Sequence, residues 1–189
     1  MNLFQAYLKT IAKLNHLEMP KDEQWLFYPG MLFLSQEKWW PDKGIRPTEH
    51  EGIDITFYKD KNGIIQNFDR SVDIPLIEKG TVINICQDFL GHSLILEHAV
   101  ETSNSNRIVS VYAHLNLDRK IKTGQDLVKN KVIGKIADTS VKMPLMQPHL
   151  HLSFIEIPAG IALDELDWTL FCDQSRVNLI NPVEFKKIT

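Results

Sequence analysis

The chain has 189 residues, enough for one domain or one domain with a small appendage, and its 43% apolar and 24% charged residues are an ordinary globular composition. Lys plus Arg number 21 against 24 Asp plus Glu, so the formal charge is −3 and no basic footprint points to a nucleic-acid partner. Two cysteines, Cys86 and Cys172, exclude a disulfide-rich scaffold, and no apolar run reaches the ~18–20 residues that a membrane-spanning helix requires.

Leu3, Phe4, Tyr7, Leu8, Ile11 and Leu14 recur at spacings of three and four, with Lys9 and Lys13 off that stripe. This predicts an amphipathic helix over 3–17, packed on the domain and stopped by Pro20. A membrane-surface helix would carry a richer basic face, and a signal peptide would carry a continuous apolar core and a small-residue cleavage site. In residues 24–36, Pro29-Gly30 splits two short apolar runs and predicts a turn between two strands. Residues 38–47 are polar and Pro/Gly-rich and read as a loop. Its Trp39 and Trp40 are either packing residues of a core or lid, or an aromatic wall beside a binding groove.

From Ile53 to about Ile157 the sequence alternates with period two and is rich in β-branched and aromatic residues, as in GTVINICQ, NRIVSVYAHL and HLHLSFIEI. The connectors KDKNG (59–63), ETSNSN (101–106) and DRKIKTG (118–124) read as turns. With no helix pattern between these strands, a mainly β fold is expected, an antiparallel sandwich or open barrel. The organisation that follows is an N-terminal helix and hairpin/loop extension over 1–44, a β core over 45–158 and a C-terminal extension over 159–189. Within the last, DELDWTLF (164–171) suggests a short helix and NPVEF (181–185) a closing segment.

The histidines cluster with a carboxylate. His149 and His151 are two apart and share a face on a strand. His50 and Asp54, in HEGID, are four apart, a spacing that serves a helix face or a strand; Gly52 and the following β-branched residues favour the strand. Two neutral imidazoles and one carboxylate form a common catalytic zinc set with a fourth position open. HEGID can also be read as a helical H-E-x-x-D motif with Glu51 as base. His114 ends the strand VSVYAHL, where a histidine serves either structure or chemistry. His98 reads as structural, and Cys86, in an apolar strand, as a buried thiol.

With HEGID at 50–54, YAHL at 112–115 and PHLH at 148–151, in that order, the chain resembles the lysostaphin-type (LytM-like) zinc metallopeptidases. Arg46, KGTV at 79–82, SLILEH at 93–98 and the hairpin IKTGQDLVKNKVIGKI at 121–136 strengthen the resemblance, which covers about residues 45–158. It implies zinc held by His50, Asp54 and His151, with His114 and His149 as a catalytic histidine pair, either of which could be the general base. It implies hydrolysis of peptide bonds in peptidoglycan stem peptides or cross-bridges, in the periplasm or outside the cell, although no signal peptide is visible. The alternative is a non-catalytic domain of the same fold that binds wall peptides or regulates a hydrolase. Three departures stand out: Lys129-Asn130 replaces a usual glycine, residues 137–147 lack the glycines usual before PHLH, and Leu152 and Ser153 stand where an aromatic and a glutamate are usual. Residues 1–44 and 159–180 have no counterpart in the resemblance and are candidates to cover the groove.

Overall fold

The structure is a computed structural model that describes residues 1–41, 44–100, 105–140, 142–143 and 145–186. The first element is helix α1 (Leu3–Leu14). Asn2 caps it reciprocally: its side chain accepts from the Gln5 N–H at 2.8 Å, and the Gln5 side chain accepts from the Asn2 N–H at 3.2 Å. The helix stops three residues short of the predicted end because His16 turns to φ 50°, outside the helical region. Its apolar stripe of Leu3, Phe4, Tyr7, Leu8 and Ile11 is buried in the larger core, and the Tyr7 hydroxyl donates to the Pro75 carbonyl at 2.9 Å.

The expected hairpin over 24–36 is not formed. Strand β1 (Trp25–Leu26) exists, but the second apolar run begins in a 3-10 turn at Pro29–Met31 that buries Met31 completely. Gly30 is required there: a Cβ would stand 2.6 Å from the Trp39 backbone nitrogen. Pro29-Gly30 therefore seats the loop that carries Trp39 instead of reversing a hairpin.

The strands that follow are β2 (Ile53–Ile55), β3 (Phe57–Lys59), β4 (Ile65–Gln66), β5 (Asp73–Pro75), β6 (Gly80–Gln87), β7 (His92–His98), β8 (Arg107–Leu117), β9 (Asp126–Leu127), β10 (Val132–Ile136), β11 (Leu150–Ile157) and β12 (Asn178–Ile180). All the pairings between them are antiparallel. A small sheet runs β1-β3-β4. The main sheet runs β12-β11-β8-β7-β6-β9, with β2 joined to β11, and β10 bridging β5 and the end of β8. The fold is thus mainly β with one N-terminal helix, and the described sheets do not close into a barrel.

Of the expected connectors, KDKNG is a turn in which Asp60 accepts from the Asn62 and Ile64 N–H groups, with Gly63 at φ 79°. DRKIKTG turns with Gly124 at φ 84°. In ETSNSN, residues 101–104 lie outside the described residues. Asn130 takes φ 64°, the left-handed conformation that asparagine tolerates, which explains how it replaces the usual glycine.

Period-two alternation divides the main sheet cleanly. Leu150, Leu152 and Phe154 of β11, Tyr112 of β8, and Leu94 and Leu96 of β7 share a core with α1. Ile155, Ile157, Val109, Val111 and Ile95 face the other way, under Leu166, Leu170, Phe171 and Val177 of the C-terminal segment. That segment splits the expected helix into a 3-10 turn (Leu163–Glu165) and helix α2 (Trp168–Phe171), the latter capped by Asp167. No helix among the described residues is long and apolar enough to cross a membrane.

Helix α1 thus completes the larger core. Ile11→Ala, at a fully buried position, is expected to lower the unfolding free energy by about 2–5 kcal/mol in urea denaturation. A loss below about 0.5 kcal/mol would show that the helix is peripheral.

Candidate metal centre

The centre is set by strand register. In the β2–β11 ladder Asp54 pairs directly with His151, and in the β11–β8 ladder His151 pairs with Ala113. Directly opposed residues of antiparallel strands point to the same face. Asp54 and His151 therefore project together, on the face away from α1. His149 lies one residue before β11 and keeps the same facing.

His50 does not belong to the strand. It sits in an irregular segment three residues before β2. That segment presses on β11 so closely that a Cβ at position 52 would lie 2.5 Å from the Leu152 carbonyl oxygen and 2.8 Å from His151 Nε2, so only glycine fits. Since residues 50–54 are not helical, the H-E-x-x-D reading fails. Glu51 stands beside the site, with Oε1 4.0 Å from His151 Nε2.

Three atoms converge. His50 Nε2 is 3.1 Å from Asp54 Oδ1, His151 Nδ1 is 3.0 Å from the same oxygen, and the two nitrogens are 3.1 Å apart. Bonds of ~2.0–2.1 Å around a tetrahedral zinc would set such donors ~3.3 Å apart. The outer hydrogen bonds suit a cation as well. His50 Nδ1 lies 3.0 Å from the Leu32 carbonyl and must donate to it, and His151 Nε2 is 2.7 Å from Ser153 Oγ. With the ring protons placed there, His50 Nε2 and His151 Nδ1 both turn lone pairs toward the carboxylate, an arrangement that a metal ion relieves. Ser153, one of the departures from the resemblance, thus orients a donor. The other oxygen of Asp54 is engaged from behind by the Trp39 indole N–H at 2.6 Å and by the Arg46 guanidinium at 3.5 Å.

The electrostatics follow from burial and company. Burial alone would raise the Asp54 carboxyl, but His50, His149 and His151 hold it well below the usual carboxylate range. Burial pulls His50 down, and Asp54 more than restores it, so its pKa is raised. Burial lowers His151, and it takes His149 down to about 3.

His114 reaches the site by an irregularity. Regular alternation would place it with Tyr112, on the α1 face, opposite His151. Between β7 and β8 the register shifts: His92 pairs with Leu115, but Leu94 pairs with Tyr112. The extra residue of β8 forms a bulge, and His114 takes φ 64°. Bulges of this kind re-aim a side chain. The His114 ring ends 4.8 Å from that of His149 and 5.9 Å from that of His151, between centroids. All five expected site residues are thereby brought together.

Sequence reasoning missed Asp88 and Trp168 as neighbours, while Trp39 reads from sequence as either a packing residue or an aromatic wall beside a groove. Asp88, in the β6–β7 turn, binds His114 Nδ1 at 3.0 Å. Trp39 packs edge-on against His149, with 5.0 Å between ring centroids, and Trp168 packs likewise against His151 at 5.3 Å. The Asx-turn pattern of Asp88-Phe89-Leu90-Gly91 was legible, but no spacing tied it to His114. Around the centre lies a cleft of about 910 Å³, lined also by Trp40, Met143, Met146 and Cys172. The glycine-free loop supplies the two methionines; its residues 141 and 144 lie outside the described residues. Both cysteines are free and half-buried, and burial pushes each thiol up to about 11, so Cys86 is less enclosed than expected. His98 is buried, near the Lys79 carbonyl and the Ser110 hydroxyl, as a structural histidine should be.

Gly52→Ala is expected to force the His50 segment off β11 and cost about 1–3 kcal/mol in urea denaturation. An unchanged midpoint would mean that the close approach does not hold the segment.

The sequence model of peptidase family M23 matches residues 48–164, a stretch that contains all five of these residues. No curated protein matches the chain. Among solved structures, the complex of SpoIIIAH and SpoIIQ is similar at 21% identity over 64% of this chain and 71% of that one, with a TM-score of 0.40. A zinc-containing peptidase from Vibrio cholerae is similar at 20% identity over 75% of this chain, with a TM-score of 0.44, and Helicobacter pylori Csd3 at 17% over 88%, with a TM-score of 0.44. This chain spans only 36% and 35% of those two chains, respectively. On the family match, which takes in more than half of its length, the chain belongs to peptidase family M23.

Proposed function

We propose that the chain is a zinc-dependent metalloendopeptidase that hydrolyses peptide bonds of peptidoglycan stem peptides or cross-bridges. The reading is carried by the convergence of His50 Nε2, Asp54 Oδ1 and His151 Nδ1 within about one metal-coordination shell, with two further histidines facing the same point from the cleft wall. Family membership supports it.

His50, Asp54 and His151 would hold the ion, two neutral nitrogens and one carboxylate. Zinc there would act as a Lewis acid toward the scissile carbonyl and make a water more acidic. The remaining work falls to the chain. Leu32, Ser153, Trp39 and Arg46 hold the three donors in aim from behind. His149 is oriented by its Nδ1–H, which donates to the Gln147 carbonyl at 2.9 Å, so its Nε2 faces the centre, 3.9 Å from Asp54 Oδ1. His114 presents its ring beside it. Glu51 stands beside the outer nitrogen of His151, 4.0 Å from Nε2 and not from the converging Nδ1, so proton transfer from water and to the leaving amine is assigned to the histidine pair, a contribution of about 10²–10⁴-fold. Trp40, Trp168, Met143 and Met146 give the cleft an apolar lining beside the histidines.

Two variants separate binding from chemistry. His151→Ala should lose zinc and hydrolysis of purified peptidoglycan together. His114→Ala should retain stoichiometric zinc by elemental analysis while peptide release falls by about 10² or more. Full zinc occupancy in His151→Ala would overturn the ligand assignment. A zinc-loaded wild type that releases no peptide would overturn the substrate and favour a binding domain.

A further inference from the structure

The function proposed above leaves the enclosed carboxylate of Asp88 unused. Asp88 lies in the turn between β6 and β7, and its side chain is only 2% exposed. Its carboxylate accepts five hydrogen bonds. Oδ1 takes the Leu90 and Gly91 N–H groups at 2.8 and 2.6 Å and lies 3.0 Å from His114 Nδ1. Oδ2 takes the Ser93 hydroxyl at 2.8 Å and the His114 backbone N–H at 2.9 Å. The Ser93 oxygen accepts in turn from the Trp168 indole at 3.0 Å.

The first two of these bonds only close a turn, but the two to His114 act on the site. One carboxylate grips both the backbone and the ring of the single residue that the β8 bulge turns over, at φ 64°. Burial pushes the Asp88 carboxyl up, yet the His114 and Ser93 hydrogen bonds hold it far below the usual range, so it is ionised and can only accept. In the neutral ring His114 Nδ1 must then carry the proton, which leaves the lone pair on Nε2.

We infer that Asp88 is a positioning residue that fixes the ring orientation and the Nδ1–H tautomer of His114, making His114 the proton acceptor of the pair. In the step it supports, an O–H bond of the attacking water breaks and its proton passes to His114 Nε2. The electron pair stays on the oxygen that bonds to the scissile carbon, and the proton later leaves with the departing amine as the C–N bond breaks. Asp88 stabilises the imidazolium in between, as a carboxylate behind a histidine does in hydrolases of other folds. The inference rests on the hydrolytic reading for its catalytic half, and on geometry alone for the tautomer.

The test is long-range ¹H–¹⁵N NMR of the full chain, with His114 assigned by its Ala variant, at a pH where the ring is neutral. The wild type should show His114 as the Nδ1–H tautomer. Asp88→Ala removes the acceptor that faces the His114 ring. It should shift His114 toward the Nε2–H form, keep stoichiometric zinc, and lower kcat on a soluble muropeptide dimer at least about tenfold with KM within about threefold. An Nε2–H tautomer in the wild type overturns the inference without any variant. So does a folded Asp88→Ala protein with an unchanged tautomer or with kcat within about twofold. If the wild type cleaves nothing, the hydrolytic reading fails, and the tautomer measurement still decides the role of Asp88.

Discussion

The antiparallel pairing of Asp54 with His151 is the constraint on which the centre depends. It places a carboxylate and an imidazole on one face, with donor atoms 3.0 Å apart, before any other residue is considered. The register itself is held from the opposite face. Leu150, Leu152 and Phe154 alternate with His151 and Ser153 and are fully buried against the helix side of the sheet. Each such burial is worth about 1.5–3 kcal/mol, and a slip of one residue would move all three out of this core to the histidine face while turning His151 into the core. Hydrophobic patterning on one face thus fixes polar geometry on the other. Gly52 then lets the His50 segment close on the same strand.

The spacing of His149 and His151, and of His50 and Asp54, made most of the centre legible in the sequence, because strand periodicity converts spacing directly into facing. His114 was legible only through the resemblance. Its own strand alternates with Tyr112, which by period two sends it to the wrong face, and a bulge is not written in alternation. Trp39 was legible as a candidate groove wall, but Asp88 and Trp168 were not legible as site residues, because each is far in sequence from what it touches. Asp88 and His114, for example, are joined by register across β7 and not by spacing. The apolar run after Pro29-Gly30 reads as a strand by composition but is claimed by a buried 3-10 turn, a tertiary demand that local propensity does not record.

The segments outside the core motifs prove to be part of the site. The loop before the core brings Trp39 to the rear oxygen of Asp54 and to the edge of His149. The segment after it brings Trp168 to His151 and, through Ser93, to Asp88. Two indoles therefore brace the histidines from opposite ends of the chain. Both also donate a hydrogen bond, so their polar edges are satisfied while their rings pack on the histidines. Helix α1 lies on the far side of the sheet and stabilises the same register from beneath.

The proposed chemistry depends on the identity of the donors around the ion. The direct measurement is zinc K-edge X-ray absorption of the full chain loaded with one equivalent of zinc. The expected result is a first shell of nitrogen and oxygen at about 2.0–2.1 Å with the outer scattering of two imidazoles. A sulfur shell at about 2.3 Å, which would bring in Cys172, or scattering from a single imidazole, would contradict it.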